Sequence, residues 1–190
     1  MDLILFQPGD TSVFPTGTND WATGGSLIST GADWTANEEL KLGQCIELVS
    51  VHQGMKQQVT TDVSNSARTS GRPVITEFTC VKYVDKTSVK MYDFCLRAQS
   101  LGGKANPSYI YILRNSGDKV GNIITFMLRD ALISEIQFQS HPDDMPTEQF
   151  KLNFTEIVWT YAVQTPDMQV KGNVTAGWSL AQNRPLTAFS

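Results

Sequence analysis

The chain has 190 residues, 41% of them hydrophobic and 18% charged, with a formal net charge of −4. That size and composition describe one ordinary soluble domain with enough bulk for a core. The acidic balance argues against a nucleic-acid binder, which needs a basic, phosphate-neutralising surface, and no apolar run approaches a membrane span.

The chain opens with a short predicted strand, Leu3 to Phe6, closed by the turn residues Gln7-Pro8-Gly9-Asp10. Its first ten residues carry an acid at position 2 and only a brief apolar run, so they do not read as a signal peptide. A long Gly-, Thr-, Ser- and Asn-rich segment follows, an inserted loop at about 8–43 that holds Phe14, Trp21, Leu27, Ile28 and Trp34. Gln44 to His52 reads as one strand. Gln57 to Ser70 is polar and weakly patterned, an extended loop at about 57–71 or a loose hairpin arm.

The chain is organised around Arg72 to Gln99. Its first half, with Val74, Ile75, Phe78, Val81 and Tyr83, reads as a strand. Its second half reads as a helix over about 88–100. Ser88 is the expected N-cap, and Leu101-Gly102-Gly103 the expected stop. Val89, Tyr92, Cys95, Leu96 and Gln99 mark the apolar face, widened by Met91, Phe94 and Ala98.

Strands then come densely: Ser108 to Leu113, Val120 to Leu128 after the turn Asn115-Ser116-Gly117-Asp118, and Ala131 to Gln139. After the polar loop His141-Pro142-Asp143-Asp144 come Glu148 to Phe154 and Ile157 to Val163. In the last of these Ile157, Trp159 and Tyr161 alternate on one face, as core residues would. Gly172 to Leu180 is a further short strand, and Ala181 to Ser190 a loosely held tail. Closely spaced strands joined by turn signals predict an all-β barrel or sandwich with one helix.

No catalytic chemistry stands out. The two histidines, His52 and His141, lack metal-ligand spacing with each other or with a cysteine pair. The three cysteines, Cys45, Cys80 and Cys95, read as reduced thiols, partly in the core. There is no nucleophile elbow, P-loop or dinucleotide fingerprint. We expect no catalytic residues, no cofactor and no metal. The residues alone stop at a soluble β protein with one helix, suited to binding or assembly.

The run Phe78-Thr79-Cys80-Val81-Lys82-Tyr83-Val84-Asp85-Lys86-Thr87-Ser88 resembles the strand-to-helix segment of the haemolysin co-regulated proteins. Met145-Pro146-Thr147-Glu148, Val158-Trp159-Thr160-Tyr161, Lys171-Gly172-Asn173 and Gly177-Trp178-Ser179-Leu180 are similar to that family in order and spacing. Cys45 to Ser50 is similar to its second strand, so the resemblance runs over roughly residues 44–183. Where the family often has proline after the cap serine, this chain has Val89.

The resemblance implies one domain over residues 1–190. It is a compact, phage tail-tube-like β-barrel of two packed antiparallel sheets with one flanking α-helix. It implies a structural, non-enzymatic subunit of the type VI secretion inner tube: homo-hexameric rings that stack, with a contractile sheath, spike protein and baseplate as partners and effector proteins in the lumen. No nucleic acid or membrane insertion is implied. The protein would be made in the bacterial cytoplasm and exported by the type VI system. Arg68, Ser70 and Arg72 match the family's extended loop and are the expected subunit or ring interface residues. A phage-type tail-tube protein, or an effector or enzyme on the same barrel, is the alternative.

Overall fold

The computed structural model describes residues 2–14, 45–62, 67–70, 72–116, 119–164 and 170–186. β1 is Asp2–Gln7, followed by a single 3-10 turn, Thr11–Val13. Six short strands come next: β2 Ile46–Leu48, β3 Ser50–His52, β4 Met55–Lys56, β5 Val59–Asp62, β6 Ala67–Ser70 and β7 Val74–Ile75. β8, Phe78–Tyr83, leads into α1, Ser88–Leu96, the one α-helix among the described residues. β9 Ser108–Ser116, β10 Lys119–Arg129, β11 Leu132–Gln139, β12 Thr147–Asn153, β13 Glu156–Gln164, β14 Val170–Ser179 and β15 Arg184–Pro185 complete the fold.

The strands form two main antiparallel sheets. Seven strands lie in the order β15-β14-β13-β10-β9-β1-β2, and four in the order β11-β12-β8-β3. The expected mainly-β class with a single flanking helix is what the chain adopts. The two sheets share one apolar core, in which Phe6, Ile110, Leu128 and Ile157 of the larger meet Phe78, Cys80, Phe150 and Leu152 of the smaller. Aromatic rings cross between them, with Phe6 5.9 Å from Phe150 and Phe78 5.2 Å from Phe126, centroid to centroid.

The chain changes sheets at tight corners. The segment Gln44 to His52, expected as one strand, breaks at Val49. β2 belongs to the larger sheet and β3 to the smaller, with the Val49 N–H donating to the Val81 carbonyl at 2.7 Å. β10 passes to β11 through Asp130, and β12 to β13 through Phe154 and Thr155. The Thr155 hydroxyl ties these two corners by donating to the Asp130 carboxylate at 2.9 Å. The Arg72–Tyr83 strand likewise divides, into β7 and β8.

The helix differs from its sequence expectation in three ways. It ends at Leu96, where a Schellman closure forms: Ala98 N–H donates to Cys95 O at 3.1 Å and Gln99 N–H to Phe94 O at 3.0 Å. Leu101, expected to help stop the helix, is instead buried in the core. The buried face is Ser88, Met91 and Phe94, while Val89 is 73% and Leu96 88% exposed. The N-cap is Thr87, not Ser88, whose hydroxyl is engaged elsewhere. Part of the expected loose tail is paired: Arg184 and Pro185 lie against Ser179 and Trp178, and residues 187–190 lie outside the described residues. Tyr161, expected in the core with Ile157 and Trp159, is instead about half exposed, paired with Ile124 and Val174 within the larger sheet.

Candidate assembly site

Three features carry the site: a projecting ribbon, a polar sheet face and a buried ion network that holds the helix. The ribbon continues the β3–β8 ladder. His52 pairs with Thr79, Thr76 N–H donates to Gly54 O at 2.9 Å, and then Met55 pairs with Ile75 and Lys56 with Val74. The β5–β6 hairpin, from Val59 opposite Ser70 to Asp62 opposite Ala67, extends it. From His52 to Asp62 is ten residues, a reach of up to about 33 Å at the usual strand rise.

The predicted interface residues fall on this ribbon. Arg68 and Ser70 lie in β6, opposite Thr61 and Val59; their side chains lie outside the described residues. Arg72 is exposed at the ribbon's root, and its guanidinium donates to the Leu180 carbonyl, so it ties the ribbon to the end of β14. Three apolar residues of the ribbon, Met55, Val59 and Val74, are 52%, 56% and 49% exposed; sequence reasoning passed over Met55 and Val59 and placed Val74 in a strand without foreseeing its exposure. Their signal was present but faint, β-branched or flexible apolar residues isolated in polar surroundings.

The smaller sheet turns a polar face away from the core. Register places Gln137, Gln149 and Val81 in one row, Gln139, Thr147 and Tyr83 in the next, and Glu135, Lys151 and Thr79 in a third. Glu135 and Lys151 form an ion pair across β11 and β12. Hydrogen bonding to Lys151 holds the Glu135 carboxyl below its usual range, and the same bond holds the Lys151 ammonium above its own. A cavity of about 330 Å³ at the ribbon end of this face is lined by His52, Thr76, Glu77 and Lys151. β3 and β11 are the outermost strands of the sheet.

The run singled out in sequence builds the ion network. Lys82 comes from β8, Ser88 and Tyr92 from α1, and Glu148 from β12. The Lys82 ammonium is fully buried and lies 2.8 Å from Glu148 Oε1 and 3.0 Å from Asp85 Oδ1. It also donates to Tyr83 O at 2.9 Å and Ser88 Oγ at 3.2 Å. Ser88 Oγ donates to Glu148 Oε1 and the Tyr92 hydroxyl to Glu148 Oε2, each at 2.8 Å. Asp85, expected as a turn residue, caps the next step by accepting from Thr87 N–H at 2.7 Å. Burial and the Glu148 carboxylate push the Tyr92 phenol up to about 12. Such a network pairs its charges within itself.

Other chemistry is muted. Burial pushes the Cys45 thiol up to about 12 and the Cys80 thiol up as well. Neither offers the thiolate that a nucleophile needs at neutral pH. No group of three or more His, Cys, Asp or Glu side chains among the described residues is placed to hold a metal.

This antiparallel fold is that of solved type VI secretion proteins. One, a type six secretion system protein, is 19% identical with a TM-score of 0.71, covering 97% of this chain and 98% of that one. Hcp1 from Salmonella typhimurium is 16% identical at 0.61, covering 97% and 99%. A type VI secretion system effector from Yersinia pestis is 15% identical at 0.57, covering 93% and 98%. No curated protein matches the chain. The profile of the family described as "Type VI secretion system effector, Hcp" matches residues 38–161. The chain belongs to that family. Its members are secreted by type VI systems, and no helix among the described residues is long and apolar enough to cross a membrane.

Proposed function

We propose that the chain is a structural subunit of the type VI inner tube, assembling as homo-hexameric rings that stack and are expelled. The observation that carries this reading is the smaller sheet, with a polar outer face and the strands β3 and β11 at its two edges. An open edge is a template for pairing with another chain. Two unlike edges on opposite sides suit a head-to-tail contact that closes after a full turn, leaving no edge free. The Gln-, Thr- and Ser-lined face would then wall a wet lumen able to carry effector proteins. The contractile sheath, spike protein and baseplate are the further partners, and export from the cytoplasm follows from expulsion of the tube.

The chain does no catalysis in this reading. The buried thiols and the self-satisfied Lys82–Glu148 network support that view. Light scattering across a sizing column, with negative-stain images of the peak, tests the assembly. The expected species has six times the 21.0 kDa chain mass and a central hole; a monomer at high concentration would reduce the reading to a likeness of fold.

A further inference from the structure

The larger sheet has a second apolar face. Along β1 and β9 the side chains alternate: Ile4, Phe6 and Ile110 meet the main core, while Leu3, Leu5, Tyr109, Tyr111 and Leu113 lie on the opposite side. Leu5, Tyr111 and Leu113 are fully buried there, with Cys45 beside them. Burial extends to Asn122 and Thr125 of β10 and to Val158 and Ala162 of β13. It therefore spans four adjacent strands, about 14 Å at the usual strand spacing. One face of a sheet does not exclude water unaided; it needs a second layer packed on it. The smaller sheet and α1 are engaged in the main core on the other side. Among the described residues, the apolar side chains packed against this cluster are Leu3 and Tyr109, from the same two strands.

We propose that residues 15–44 of the same chain supply that second layer, as a strap laid across the outer face of the larger sheet. Apart from this segment of thirty residues, no stretch outside the described residues is longer than five. Its two ends constrain its route. It leaves from the main-core side, where Val13 and Phe14 are buried and Asp10 N–H donates to Leu101 O at 2.6 Å. It returns on the opposite side at Cys45, whose thiol donates to Gln7 Oε1 at 3.8 Å. Thirty residues extend to about 100 Å, several times the width to be covered. Trp21, Leu27, Ile28 and Trp34 give the segment the apolar content to face Leu5, Tyr111 and Leu113. The burial is complete in a single chain, so a second copy is not required. The family profile begins to match at residue 38, so most of the strap lies outside the matched part. The strap does not need the tube reading. On that reading the covered face is the one turned away from the lumen, and each copy carries its strap on the outside of the wall.

The three free cysteines give the test. Cys45 lies under the proposed strap, Cys80 in the main core and Cys95 partly exposed on α1. Labelling of the native protein with a thiol reagent, followed by peptide mass spectrometry, reads each site separately. In the wild-type protein Cys95 should react while Cys45 and Cys80 stay protected. Two variants remove the cover. In one, residues 16–42 are replaced by about ten residues of Gly and Ser, enough to span roughly 30 Å. The other is full length and carries Trp21→Ser with Trp34→Ser. In each, Cys45 should label about ten-fold faster or more, because access governs the reaction of a buried thiol, and Cys80 should remain protected. The full-length variant decides the matter if the shortened chain does not fold. Cys45 labelling no faster in that variant, or Cys45 and Cys80 accelerated together, would overturn the proposal: the segment would then lie elsewhere or hold the main core. Absence of a ring in the wild-type protein bears on the tube reading alone.

Discussion

Lys82 is the residue on which the helix attachment turns. Its ammonium is wholly inside the protein and meets a buried carboxylate, a hydroxyl and a carbonyl. A buried pair adds little over a well-packed apolar pair, but removing one partner strands the other. Lys82→Met should therefore lower stability by about 3–5 kcal/mol, read by urea unfolding at unchanged m-value. Adding Glu148→Leu should recover much of that loss, since no lone carboxylate then remains. A double variant no better than the single would mean that the helix depends on Lys82 for packing, not for charge. Tyr92 reports on the same network. Its folded value of about 12 stands above its ordinary 10.0. The fold thus favours the neutral phenol. The resulting stabilisation is complete below about pH 10 and disappears as pH rises from 10 toward 12. Absorbance titration should show a late Tyr92 whose transition moves part of the way down in Glu148→Gln, since burial, the larger cause, remains.

At the scale of the element, α1 ends on a residue that does not suit its place. Ala98 has φ 49°, the left-handed region, where a Cβ costs roughly 1–2 kcal/mol. Ala98→Gly should stabilise the protein by about 1 kcal/mol, less the entropy of a freer unfolded chain, seen as a rise in melting temperature. A fall would mean that the exposed methyl makes a contact worth more than the strain. This closure also shows where sequence reading stops. Glycines at 102 and 103 pointed to a stop there, yet backbone hydrogen bonds closed the helix at Leu96 through an alanine. The strands from Ser108 to Val163 were legible because they are dense in β-branched and aromatic residues between turn signals, with clear alternation in Glu148 to Phe154. The Val49 corner was not, because Cys45 to Val51 keeps its β-formers through the bend. Ser88 was read correctly as a residue with a helix-start task but given the wrong one, since its partner Glu148 is 60 residues away. Met55 and Val59 were missed because apolar residues scattered through a polar stretch leave no core pattern in the sequence.

On the scale of the whole molecule, folding and assembly are carried by separate parts. Among the described residues, the buried members of the main core cluster come from the two sheets, α1 and the segments joining them, and of the ribbon only Ile75 packs against them. The ribbon is tied down at its root, by Arg72 on Leu180 and Gly54 on Thr76, and beyond that by its own ladder. Replacing residues 57–71 with a two-residue turn between Lys56 and Arg72 should thus leave the thermal midpoint within a few degrees of the wild-type value. That change removes only a hairpin of low intrinsic stability. The same variant should keep the ring mass, because β3 and β11 stay intact, and lose ring–ring association. If the midpoint collapses, the ribbon is part of the folding unit, and its exposed valines are held by contacts within the chain. If the ring itself is lost, the ribbon closes the ring and does not join one ring to the next.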